Sequence, residues 1–157
     1  MSREGQPIYE APKRKVYLNP EGLSNDEIST LTQVANRLFD GSKEKYEYAL
    51  ERCTFFAEPG YDTLVEIIVD TPSLTNPKIE GYDENPFNQH YWVGADLVRE
   101  DGPKPVVFDP IFGYVGLLEK ASTLLNQDYV RYYNNRRTVP PHVPSWEGGV
   151  RIKTISI

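Results

Sequence analysis

Apolar residues first recur at helical spacing at Ile28, Leu31, Val34, Ala35, Leu38 and Phe39. This stripe predicts a helix over about 25–39. Ser24, followed three residues later by Glu27, forms a capping box at its start, where each side chain satisfies an amide the helix leaves open. Gly41 is the expected stop. Tyr46, Ala49, Leu50 and Cys53 repeat the helical spacing and predict a second helix over 43–54, with Ser42 as its cap. Pro59 and Gly60 are expected to break the chain. The β-branched run over 63–70 (TLVEIIVD) reads as a buried strand. A loop is expected over 71–88, which contains Pro72, Pro77 and Pro86.

Alternation takes over at 90–98, where Tyr91, Val93, Ala95 and Leu97 share one face and His90, Trp92, Gly94 and Asp96 the other. A turn near 100–104 leads into a partner strand at 105–109 (PVVFD), so the pair reads as a hairpin. Leu117, Leu118, Ala121, Leu124 and Leu125 predict a third helix over about 114–126. Tyr129, Tyr132 and Tyr133 follow and are read as a helix flank against the core or a peptide-contact surface. Pro140, Pro141 and Pro144 mark an irregular stretch, and 150–157 alternates like a final strand. At the start, 1–23 reads as an arm with a short strand at 16–18. The pattern therefore predicts one α+β domain over 1–157: an arm (1–23), a core (24–126), and a tyrosine- and proline-rich segment (127–157).

Composition narrows the function. The 157 residues are 39% hydrophobic and 25% charged, which fits a packed globule. A net charge of −6 argues against general binding of nucleic acid. The basic clusters Lys13, Arg14, Lys15 and Arg131, Arg136, Arg137 read as solvated surface. No apolar run is long enough to cross a bilayer, and the polar opening residues carry no signal-peptide pattern. One cysteine excludes an intrachain disulfide and fits a cytoplasmic setting. Two histidines and one cysteine, far apart, give no metal-ligand cluster. No phosphate-cradling glycine loop is present, so no cofactor is expected.

The candidate chemistry lies in the hairpin. If its strands share a core face, Val106 and Phe108 sit beside Tyr91, Val93, Ala95 and Leu97. Strict alternation then brings Asp109 to the face of His90. A tight turn sets the two opposite each other. A looser one offsets them by roughly 7–13 Å along the strand and needs a bulge or strong twist to join them. A carboxylate on one imidazole nitrogen fixes the tautomer and leaves the other nitrogen to act as a base. The plainer reading is a surface histidine beside an Asp-Pro turn.

The strings His90-Tyr91-Trp92-Val93 and Val107-Phe108-Asp109-Pro110-Ile111-Phe112-Gly113 resemble the histidine and aspartate strands of the papain-like and transglutaminase-like superfamily. They are most similar to its small toxin and effector members, and the likeness covers about residues 40–113. It implies a papain-like α+β fold, with N-terminal helices packed on an antiparallel sheet whose His-bearing strand precedes an Asp-bearing strand. It further implies a thiol protease, amidase, deamidase or acyl transferase acting on a protein or peptide, and for an effector, delivery into a target cell's cytoplasm. The family's nucleophile is a cysteine at the start of the helix before the first strand. On the expected helix 43–54 that position is Ser42. Three accounts of Ser42 stand open: a serine variant of the site, a serine introduced to silence a cysteine enzyme, or a pseudoenzyme. Cys53, the alternative nucleophile, falls near that helix's end and is expected to be buried and slow to react. Asn36, Gln33 and Gln89 are candidate oxyanion donors. The rival function is a non-catalytic protein-binding or adaptor domain, in which His90 and Asp109 are incidental.

Overall fold

A computed structural model describes residues 5–11, 14–41, 53–85 and 88–139. Its elements are β1 (Gln6–Ala11), β2 (Arg14–Leu18), α1 (Asn25–Gly41), α2 (Cys53–Val69), β3 (Leu74–Asn85), β4 (Asn88–Leu97), β5 (Lys104–Asp109) and β6 (Tyr114–Leu117). A 3₁₀ turn (Leu118–Thr123), α3 (Gln127–Asn134) and β7 (Arg137–Val139) complete it. The seven strands form one sheet in the order β1-β2-β6-β5-β4-β3-β7. Every pairing is antiparallel except β2 with β6.

Helices cover both faces. On one, α1 and α2 bury Leu31, Leu38, Phe39, Leu64 and Ile67 against Val16, Ile79, Tyr91, Val93 and Phe108. On the other, the 3₁₀ turn and α3 bury Ala121, Val130 and Tyr133 against Trp92, Val107 and Tyr114. The expected N-terminal strand exists, but the arm around it is a hairpin: β1 and β2 join the sheet, with Val16 and Leu18 fully buried.

The capping box forms as the Ser24–Glu27 spacing predicts. Ser24 N–H donates to Glu27 Oε1 at 2.9 Å and Glu27 N–H to Ser24 Oγ at 3.1 Å. Arg99 clamps the same carboxylate with two donors, at 2.9 and 2.8 Å. Its hydrogen bonds hold the Glu27 carboxyl below the usual range. A depressed folded value means the stabilisation is present above the unfolded pKa of about 4.3 and is lost as pH falls through the folded one. Arg99→Ala is therefore expected to lower the urea midpoint at pH 7, by about 1 kcal/mol or less for so accessible a pair. The gap between variant and parent should close below about pH 4.

Four expected elements differ. The run 63–70 is helical and not a strand. Ala57, Gly60, Leu64 and Ile67 are buried at helical spacing, while Val69 is 79% exposed, so the wider window carries a 3.6-residue stripe that the β-branched run masks. Pro59 lies inside α2 and does not end it. The loop expected over 71–88 is mostly strand β3. Pro77 fits because the register shifts between Thr75 and Lys78 and Asn76 takes φ 58°, a bulge that excuses the missing amide. The helix expected over 114–126 is β6 followed by the 3₁₀ turn. Strand β6 is buried on both faces between β5 and β2, and such strands read as continuous apolar runs. Residues 127–134 form α3, capped by the Asn126 carboxamide, which accepts from Tyr129 N–H at 3.3 Å. Ser42, most of the helix expected over 43–54, His142 and the strand expected over 150–157 lie outside the described residues.

A candidate active site at the His90–Asp109 dyad

The hairpin forms in the expected parity. Val93 pairs with Phe108, Gly94 with Val107 and Ala95 with Val106. One step further along this register sets Trp92 across from Asp109, so His90 stands diagonally, two residues beyond. The β4–β5 ladder shows no bulge. Diagonal neighbours about 7–8 Å apart are within reach of a long side chain, and the two meet: His90 Nε2 lies 2.6 Å from Asp109 Oδ2. Both are buried, His90 at 3% exposure and Asp109 at 0%.

The Asp109 carboxylate is fully engaged. Oδ1 accepts the amides of Ile111 and Phe112, each at 3.0 Å, and Oδ2 accepts the Tyr133 hydroxyl at 2.7 Å as well as the His90 contact. The Asp-Pro turn and the histidine partner are therefore one device, not competing explanations. The turn closes through Gly113 N–H to Asp109 C=O at 2.9 Å. Gly113 has φ 77°, and a Cβ there would meet the Lys15 carbonyl oxygen at 2.7 Å. Gly113→Ala should cost about 1–3 kcal/mol, read as a lower thermal midpoint.

Tyr133 keeps its proton. Its pKa stands well above the ordinary value because of burial and the negative Asp109 beside it. With that hydroxyl donating to Oδ2, the carboxylate acts as acceptor and Nε2 of His90 carries the hydrogen. The imidazole is gripped by aromatic rings. Phe112 stacks on it at 3.7 Å between centroids, Trp92 lies at 5.3 Å and Tyr132 stands edge-on at 6.0 Å. Tyr129, 41% exposed, stacks on the far side of Phe112. Tyr133, Phe112 and Tyr132 thus belong to the site, although the sequence pattern assigned the tyrosines only a packing or contact role. Their spacing at 129, 132 and 133 is a helical stripe, and that was the signal available.

The remaining candidates separate. Cys53 is the first residue of α2, where the expected helix over 43–54 placed it near an end. The expectation of an inert thiol rested on a helix C-terminus and on burial in an apolar stripe with Tyr46, Ala49 and Leu50; the Cys53 side chain lies outside those described. The body of α2 covers the sheet face of Tyr91 and Val93, whereas the dyad projects from the other face. Asn36 and Gln33 lie on α1, also away from the dyad. The Asn36 carboxamide donates back to Thr32 C=O at 3.0 Å and Gln33 is exposed, so neither serves as an oxyanion donor at His90. Gln89 neighbours His90 in the chain, and among the described residues its buried Oε1 has no hydrogen-bond partner, nor has Trp92 Nε1. A groove of about 490 Å³ on the dyad's face, lined by Pro105, Gln127, Asn134 and Arg136 among others, includes no dyad residue. Among the described residues no group of three His, Cys, Asp or Glu side chains could hold a metal ion, and no helix is long and apolar enough to cross a membrane.

Fold and site together define an α+β protein with a mostly antiparallel seven-stranded sheet and a buried His–Asp dyad. No known family model, curated protein or solved structure matches the chain.

Proposed function

We propose that this chain is an amide-directed acyl-transfer enzyme, a papain-like hydrolase or deamidase acting on a protein or peptide. The observation that carries the reading is the 2.6 Å contact of His90 Nε2 with an aspartate held by three further donors. Such a carboxylate fixes the ring's tautomer and directs Nδ1 to serve as the base. Cys53 is the nucleophile in this reading, because the superfamily carries a cysteine at the start of the helix before the first strand of its site, and α2 precedes β3 and the histidine strand β4. Helix α2 supports that position. Its rise from Cys53 to Val69 is about 24 Å, and the strand path from Leu97 back to His90 is about 23 Å. Leu74, just beyond the end of α2, pairs with Leu97. A helix running back along β3 and β4 would begin near the level of His90 along the strands, while its body covers the opposite face of the sheet.

In the reaction, His90 Nδ1 takes the thiol proton and the thiolate attacks the amide carbonyl carbon. The C–N bond breaks, the imidazolium returns the proton to the leaving amine, and water hydrolyses the thioester. Ser42 is the second candidate for the attacking position.

One observation favours the rival binding-domain reading. His90 is 3% exposed and stacked on Phe112, as a purely structural clamp would be. The two readings divide on a thiol titration. Cys53 alkylation followed against pH, in the parent and in His90→Asn, yields a His90-dependent thiolate for the enzyme and an ordinary thiol for the clamp.

A further inference from the structure

We infer that Tyr133 is a positioning residue for the dyad, whose buried hydroxyl holds the Asp109 carboxylate and sets the basicity of His90. The inference rests on the acyl-transfer reading for its purpose, but its geometry stands apart from any nucleophile. Tyr133 is 24 residues from Asp109 and reaches it from α3 across the second core, donating to the same oxygen that His90 contacts. The ring is fixed at both sides, by Trp92 at 4.7 Å and Tyr114 at 6.0 Å between centroids. Its residue is 1% exposed. The hydroxyl cannot reach water for a substitute partner without displacing these rings.

A donor on Oδ2 draws off part of the carboxylate's charge, and that charge is what favours the imidazolium form of His90. Removing the donor leaves more of it for the histidine. The other titratable groups facing His90 among the described residues are Tyr82, its register partner on β3, and Tyr132 on α3, with Arg131 lying over the Tyr132 ring at 4.4 Å. Among the described residues the Asp109 carboxylate bonds to none of these three, only to His90, Tyr133 and the Ile111 and Phe112 amides. Tyr133 is therefore the side chain, besides His90 itself, through which α3 and the sheet share one buried carboxylate.

The test is an NMR pH titration of His90. The sequence holds two histidines, so a His142→Ala variant assigns the signal. Tyr133→Phe keeps the ring and its packing, and should raise the His90 pKa by about one unit. Tyr114→Phe is the control. It removes another buried hydroxyl, bonded to Leu117 C=O at 2.6 Å and not to Asp109, and should leave His90 unmoved. If Tyr133→Phe does not fold, 3-fluorotyrosine at position 133 replaces it. The more acidic hydroxyl is a stronger donor and should lower the His90 pKa, the opposite sign. An unmoved His90 in the Tyr133 variant, or an equal shift in Tyr114→Phe, overturns the positioning role. Either result leaves the Cys53 titration untouched, so failure here and failure of the acyl-transfer reading are told apart.

Discussion

Replacing Asp109 with alanine is expected to lower stability by about 3–5 kcal/mol, the usual loss when one partner of a buried charged pair is removed. That is a large share of the roughly 5–15 kcal/mol that holds a domain folded. The magnitude follows from what the carboxylate satisfies. Two turn amides, a tyrosine hydroxyl and an imidazole converge on it, and the residue is fully buried. Alanine leaves all four donors without an acceptor in a site closed by Phe112, Trp92 and Tyr133. Urea unfolding followed by tryptophan fluorescence measures the loss. Asp109→Asn is expected to cost less, because its amide oxygen still accepts from Ile111 and Phe112. Its NH₂ then faces His90 Nε2 and can only donate. The imidazole must accept there and move its hydrogen to Nδ1, a switch that ¹⁵N shifts of the ring report. The asparagine variant thus separates the two duties of this residue, with the fold largely kept and the base disabled. An alanine variant as stable as the parent would remove the dyad from the fold's energetics altogether.

The sequence disclosed the dyad's parity because alternation is a strict local rule. Tyr91, Val93 and Ala95 must face the core that Val106 and Phe108 face, and His90 and Asp109 are then left together on the other side. Helix α1 was legible for the same reason, with its stripe and capping box complete within one window. Helix α2 was not. Its β-branched residues at Val65, Ile67, Ile68 and Val69 imitate a strand, and Pro59 suggests a break that packing against β3 and β4 overrides. That one misreading set the expected helix start at position 42 and put Cys53 near a helix end, whereas α2 begins at Cys53. Strand β3 was hidden by Pro77, whose bulge becomes visible only through its register with β4. Tyr133 lay beyond any local rule. Its contact with Asp109 joins α3 to β5 across 24 residues, and no periodicity in either segment encodes it.

The second large effect concerns the thiol. Cys53 is the single cysteine of the chain, so any thiol reagent reports on it alone. As the first residue of α2 it stands where the helix's free amides and positive dipole end favour a thiolate. If His90 also takes its proton, the pKa should fall to about 7 or below, from the free value of about 8.5. Iodoacetamide labelling against pH then gives a rate that saturates near neutrality. His90→Asn removes the base but not the dipole, so the pKa should recover by about one unit or more, and the neutral-pH labelling rate should drop several-fold. Asp109→Asn, with the tautomer reversed, should move it in the same direction. A thiol that titrates at or above the free value, and is indifferent to His90→Asn, sinks the acyl-transfer reading and leaves the dyad as a structural clamp in a binding domain. Position 42 is examined in the same way, with Ser42→Cys in a Cys53→Ala background. If that introduced thiol, and not Cys53, is the one depressed by His90, the nucleophile belongs at 42. The expected result is the reverse: an ordinary thiol at 42, and a histidine-dependent one at Cys53, because the helix whose far end leads into the histidine sheet begins there.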